Sequence, residues 1–245
     1  MDAGGTSNLR RRRLNRAAAA AASGVLLGTV ACWPVTTRYG VDYQVSSRTI
    51  PLYEKAANFL SRDLQTRRLA AEVTAGAAGD DDKLLRIFEW VGRNVRPTPA
   101  GFPIIDDHVL HIVIRGYGET DQRTEAFALL ASYSGLPATG AILREPGGSG
   151  LYIALVQSQG RLIPVDVVNH LVFRLPQTGE LADIDALQAH PDVVAAQAAG
   201  RKVRNVPYQR YFADIGALRP AFERMEAQKP WPRLKNEIAR VFGRQ

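Results

Sequence analysis

Few side chains in this sequence are suited to making or breaking bonds. Glu119, Thr120 and Asp121 are consecutive and stand where a helical pattern begins. A hydroxyl there can cap free amides, and carboxylates there complement the helix dipole. Asp166 closes an apolar run, and His170 follows four residues later in a loop, either solvated or able to act as a base. His108 and His111 lie three apart beside Asp106 and Asp107, a spacing that can set two imidazoles on one helix face as metal ligation requires. No third ligand stands at a matching spacing, so neither a metal nor a cofactor is expected. The single cysteine, Cys32, permits no internal disulfide and no cysteine metal cluster.

The elements that must position these residues follow from periodicity. Apolar residues at helical spacing predict a helix over residues 51–74, with Leu52, Ala56, Phe59, Leu60, Leu64 and Leu69 on one face. Pro51 suits its first position, because a missing N–H costs nothing there. Asp80, Asp81 and Asp82 open a second helix, with Phe88 and Trp90 pointing in different directions, and Pro97 and Pro99 lie beyond its end. A short helix is predicted over 106–115 and a strong one over 120–134. The period then changes from helical to alternating, which predicts strands over 138–143, 152–156 and 161–165. Helical patterns return over 181–200, 215–227 and 233–242.

The stretch 116–166 resembles the core of the transglutaminase-like (papain-like) family. The residues that carry the resemblance are the turn Gly116-Tyr117-Gly118, the helix from Thr120 and the junction Gly135-Leu136-Pro137-Ala138. They are completed by the hairpin ending Gly160-Arg161-Leu162-Ile163-Pro164-Val165-Asp166. The resemblance covers a third to a half of the chain. It implies an α+β fold of helices packed on a small antiparallel sheet, to which this chain's own patterns add an N-terminal targeting or membrane helix and a C-terminal helical extension. It also implies a nucleophilic cysteine at the helix start, a histidine opening a strand and an aspartate closing the next. Those positions fall on Thr120, Leu151 and Asp166. A thiol gains nucleophilicity at a helix N-terminus because its thiolate is stabilised there. A threonine hydroxyl gains little, and a leucine cannot accept a proton. The site is therefore expected to be degenerate, with no intact catalytic set. Glu119, Asp121, Tyr152 and His170 are the candidates for lining a cleft that binds a cationic or hydroxylated ligand, a peptide or a glycan. The alternative is a cysteine-independent hydrolase or transferase with a site rearranged around Asp166.

Charge location limits the partners. The formal net charge is +7, but the first sixteen residues carry five arginines and one acid. The rest of the chain holds 26 basic and 23 acidic residues, which does not describe a phosphate-tracking surface. Nucleic acid is not an expected partner. The basic block Arg10 to Arg16 abuts an uncharged stretch over 17–33, the order found in targeting segments. It reads as an uncleaved signal-anchor with the body exported. Alternatives are a signal cleaved after Thr29-Val30-Ala31, a lipoprotein signal using Cys32, a twin-arginine-like signal, or a basic tail before a soluble helix. The expected organisation is a targeting segment over 1–35, a transglutaminase-like domain over 36–180 and a helical extension over 181–245. The expected location is the cell envelope, with membrane attachment through the N-terminal segment and envelope proteins as further partners.

Overall fold

The computed structural model describes residues 4–242 except 214, 216, 217 and 219. The chain forms two compact units, one of Met1–Tyr39 with Val45–Leu60, the other of Gly40–Gln44 with Ser61–Gln245. The first unit begins with helix α1 (Gly4–Ala31) and continues into strands β1 (Pro34–Val41) and β2 (Gln44–Pro51). Asp42 and Tyr43 between them both have positive φ, 48° and 65°, as a two-residue hairpin turn demands. The stretch ahead of α2 is thus a hairpin, and Pro51 ends its second strand. Helix α2 (Leu52–Val73) starts one residue later, where the Leu52 amide donates to the Trp33 carbonyl at 2.9 Å. Val25, Leu26 and Leu27 of α1 are 65–71% exposed. No helix among the described residues is long and apolar enough to cross a membrane, so the expected spanning segment finds no support here. Its alanine-rich composition is the physical reason, since alanine contributes little transfer energy per residue.

In the second unit α2 turns inward not the leucine stripe but Asp63, Thr66 and Ala70, with Leu69 and Val73 packed alongside. Leu60 and Leu64 face solvent, which corrects the expected apolar face. Asp63 tolerates burial because the Tyr133 hydroxyl donates to it at 2.9 Å and Arg67 Nε at 2.8 Å. Helix α3 (Asp80–Asn94) follows, then β3 (Arg96–Pro97), β4 (Ile105–Asp106), α4 (Val109–Arg115), β5 (Tyr117–Gly118) and α5 (Thr120–Tyr133). The helix expected from 106 begins later, because Asp106 and Ile105 pair with Gly40 and Val41 of β1. Gly116 caps α4 with φ 74°, and an added Cβ there would stand 3.3 Å from the Asn94 carbonyl oxygen. Gly116→Ala should lower stability by about 1–2 kcal/mol, the cost of a left-handed residue carrying a side chain, read as a lower urea midpoint at unchanged slope.

Strands β6 (Ala138–Arg144), β7 (Gly150–Ser158), β8 (Arg161–Asp166) and β9 (Leu171–Val172) form an antiparallel sheet in sequence order. Beyond it come α6 (Ile184–Ala189), α7 (Pro191–Gln197), β10 (Lys202–Val203), β11 (Val206–Pro207) and a 3-10 turn at Tyr208–Tyr211. The described part ends with α8 (Glu223–Glu226) and α9 (Pro230–Phe242). The helix expected over 215–227 amounts to the single turn of α8, and part of that stretch lies outside the described residues. Alternation along β7 divides two cores. Ala154 and Val156 meet α5 on one face, with Phe127, Leu129 and Leu130 fully or almost fully buried. Leu151, Ile153 and Leu155 meet α6, α7, Tyr208, Tyr211 and Phe212 on the other. Helix α5 is buried almost continuously from Gln122 to Ser132, and each large apolar side chain there contributes about 1.5–3 kcal/mol by leaving water.

Candidate functional site

The region that the sequence singled out is the N-terminus of α5. Glu119, not Thr120, is its N-cap. Gln122 fixes the turn by accepting from the Glu119 amide at 3.1 Å while donating to the Ile105 carbonyl at 2.7 Å. Asp121 accepts from the Gln122 amide at 2.9 Å. Arg115 braces this turn from α4, donating to Gln122 Oε1 at 3.2 Å and to Asp107 at 2.8 Å. Thr120 is the first helical residue and is exposed, so the expected capping role passes to its neighbour. Capping needs the extended backbone that Glu119 has at φ −70°, ψ 172°.

Leu151 does not face this helix. It is 3% exposed and packs beneath the sheet with Leu143, Ile153 and Phe173. Successive side chains on a strand point to opposite faces, so the helix side belongs to Tyr152 and Ala154. Leu151 and Thr120 therefore do not face one another, contrary to the expected arrangement. The Tyr152 ring lies against β6: a Cβ on Gly140 would stand 2.6 Å from its hydroxyl. Burial, reinforced by the charge of Glu125, pushes the Tyr152 phenol above its ordinary range, so it remains a neutral donor at neutral pH.

Asp166 is 1% exposed and fully engaged. Its Oδ1 accepts from the Val168 amide at 3.0 Å and the Asn169 amide at 2.8 Å, turning the chain at the strand end. Its Oδ2 accepts from Asn169 Nδ2 at 2.7 Å and from the Tyr208 hydroxyl at 2.6 Å. Burial first, and then the Asp166 charge, drive the Tyr208 hydroxyl far above its ordinary range and keep it a donor. Arg123, 7% exposed, reaches from α5 to the Val95 carbonyl at 3.0 Å and the Val167 carbonyl. Burial pulls its guanidinium pKa down, and the charge of Asp166 opposes that shift. Four donors on one carboxylate leave it no capacity to orient an imidazole.

The histidines sit elsewhere. His170 stacks on Phe88 of α3 with ring centroids 4.4 Å apart, and its Nε2 lies 3.4 Å from Glu89. It belongs to the α3 surface, which corrects its candidacy for the α5 cleft. His108 Nδ1 accepts the Leu110 amide at 3.1 Å as the N-cap of α4, while His111 pairs with Asp107 at 3.1 Å. Among the described residues no group of three or more His, Cys, Asp or Glu is arranged to hold a metal ion.

What does gather at the α5 face is acidic and already answered. Glu125 is raised in pKa by burial, with Asp121 and Asp106 adding repulsion, and Arg224 of α8 pairs with it. Arg224 is one of several contacts tying residues 223–229 to α5. Ser132 Oγ donates to Glu226 at 2.8 Å, Lys229 donates to the Ser132 carbonyl at 3.0 Å, and the Tyr133 hydroxyl lies 3.0 Å from the Gln228 carbonyl. Arg123, Glu125, Tyr208 and Arg224 were not singled out by sequence. Arg123 left one signal, a charge between the apolar positions of a buried helix; a partner 42 residues away, as Tyr208 is from Asp166, leaves none.

No family model matches the chain, and no curated protein matches it. Three solved structures are similar to part of it. A "putative protease" from Parabacteroides distasonis shares 12% identity at a TM-score of 0.35, over 44% of this chain and 25% of that one. A TGase shares 12% at 0.37, over 58% and 46%. A "putative cysteine protease" from Cytophaga hutchinsonii shares 18% at 0.36, over 53% and 45%. The chain thus spans less than half the length of each.

Proposed function

We propose that this protein is a transglutaminase-like domain that performs no acyl transfer and works by binding or by holding partners. The observation that carries the reading is the chemistry at the start of α5. An exposed threonine stands there between two acids, a neutral phenol occupies the adjacent strand face, and the strand-end aspartate is consumed by four donors. None of these groups is a base matched to an attacking hydroxyl at neutral pH. The same saturation of Asp166 argues against a rearranged hydrolase built around it. The contacts of residues 223–229 with Glu125, Ser132 and Tyr133 hold the C-terminal segment against α5.

The full chain and its Cys32→Ser variant should incorporate no amine into a glutamine-containing acceptor protein and should hydrolyse no peptide substrate above the buffer rate. Turnover in either that disappears on Thr120→Ala or Asp166→Asn, with the fold intact, would overturn the reading. We also infer that residues 1–35 direct the chain to the envelope membrane. The support is a basic block followed by an uncharged stretch, and the exposed Val25, Leu26 and Leu27. Fractionation of cells expressing the chain with and without residues 1–35 decides this; an unchanged soluble distribution would remove it.

A further inference from the structure

We propose that the groove between α2 and α3 is a binding site for a neutral saccharide. It is a surface groove of about 470 Å³, open to solvent, and it lies on α3, apart from the α5 region. Its apolar part is Val73 of α2 with Leu85 and Trp90 of α3, all packed partly against the core and partly open to the groove. An indole held rigidly by core packing presents a face on which the C–H side of a pyranose ring stacks at low entropic cost.

The polar lining selects the ligand class. Asp82 and Arg86 pair at 3.0 Å, and Glu89 and Arg93 lie 3.8 Å apart, both at i,i+4 spacing. His170 stands 3.4 Å from the other oxygen of Glu89. Two carboxylates and two guanidiniums therefore cancel along the rim. An anion entering the groove meets the acids, and a cation meets the arginines. Asp82 and Arg86 are also engaged by the Ala78 amide and the Ala75 carbonyl, so a neutral polyol takes its donors and acceptors chiefly from the more loosely paired and more exposed Glu89 and Arg93. An extended peptide needs instead a row of backbone partners, and a helix surface offers none because its amides are used internally.

The test is calorimetric titration of the full chain with maltotetraose, cellotetraose and chitotetraose, with inorganic phosphate and tetra-alanine as competing probes. At least one tetrasaccharide should bind and change tryptophan fluorescence. Trp90→Ala should weaken it at least about tenfold, and Arg93→Ala, at a side chain 75% exposed, about threefold or more. Trp231→Ala, in α9 and 71% exposed, should leave binding unchanged. Should Trp90→Ala fail to fold, Arg93→Ala decides. The proposal is overturned if no tetrasaccharide binds, if binding ignores both groove variants, or if phosphate or the peptide is the probe that binds there. A positive or negative result is independent of whether the domain proves catalytic, since no α5 residue enters the groove.

Discussion

Asp166→Ala should cost the domain about 3–5 kcal/mol, a large part of what a domain this size has. The carboxylate is buried and accepts four hydrogen bonds. Its removal strands the Tyr208 hydroxyl, which is 0% exposed, and leaves the buried Arg123 without the charge that favours its ionised form. Each unsatisfied buried donor costs about 1–3 kcal/mol, and the losses overlap because the groups share one acceptor. Asp166→Asn keeps an acceptor for the two backbone amides but turns a donor toward Tyr208 and Asn169, so it should fall between wild type and alanine. Tyr208→Phe removes one partner only and should cost about 1–2 kcal/mol. Urea unfolding followed by circular dichroism gives the order. Wild-type stability in Asp166→Ala would mean that the carboxylate is held for something other than the fold.

Acidification from pH 6.5 to pH 4 should remove about 3 kcal/mol of stability through His108 alone. Burial is the main cause of its depressed pKa, about 4 against an ordinary 6.5, with Arg62 of α2 and then His111 adding repulsion. Gln228 and Asp107 act in the opposite direction. The sign follows from proton counting. Between the two pKa values the unfolded chain binds a proton that the folded chain refuses, so stability is complete above pH 6.5 and declines until about pH 4. The structural reason is visible at α4: Nδ1 accepts the Leu110 amide, and a proton on that nitrogen abolishes the cap. Arg62 Nε, buried and without a hydrogen-bond partner among the described residues, makes a second positive charge nearby still less welcome. His108→Asn keeps an N-cap acceptor that does not titrate in this range. Its stability should fall by about 3 kcal/mol less over the same interval. Parallel pH profiles for the two proteins would place the acid sensitivity in the carboxylates instead.

The helices and strands of the body were legible because their apolar residues repeat at periods that neighbouring residues alone enforce. The stretch from Thr120 to Tyr133, the hairpin strands and the turn glycine Gly116 stand close to where those patterns put them. The stripe on α2 was misread for a physical reason. Hydrophobicity predicts which face can be buried, but Asp63 and Thr66 are buried instead because Tyr133, Arg67 and a helical carbonyl satisfy them. Spacing to a family pattern points to Leu151, but its side chain lies on the face of the sheet away from α5, because neighbouring strand residues alternate faces.

The sequence by itself determined that residues 116–121 hold no cysteine and that residues 138–166 hold no histidine, since residue identity needs no coordinates. It determined equally that an aspartate ends the third long strand. Only the tertiary structure decided what that aspartate does, because Tyr208 and Arg123 reach it across 42 and 43 residues of chain. Only the structure set His170 on Phe88, Arg224 on Glu125 and the charge-balanced groove beside Trp90. Local periodicity encodes which residues turn inward. The partner that an inward polar group finds depends on how distant segments pack, and no spacing along the chain records it.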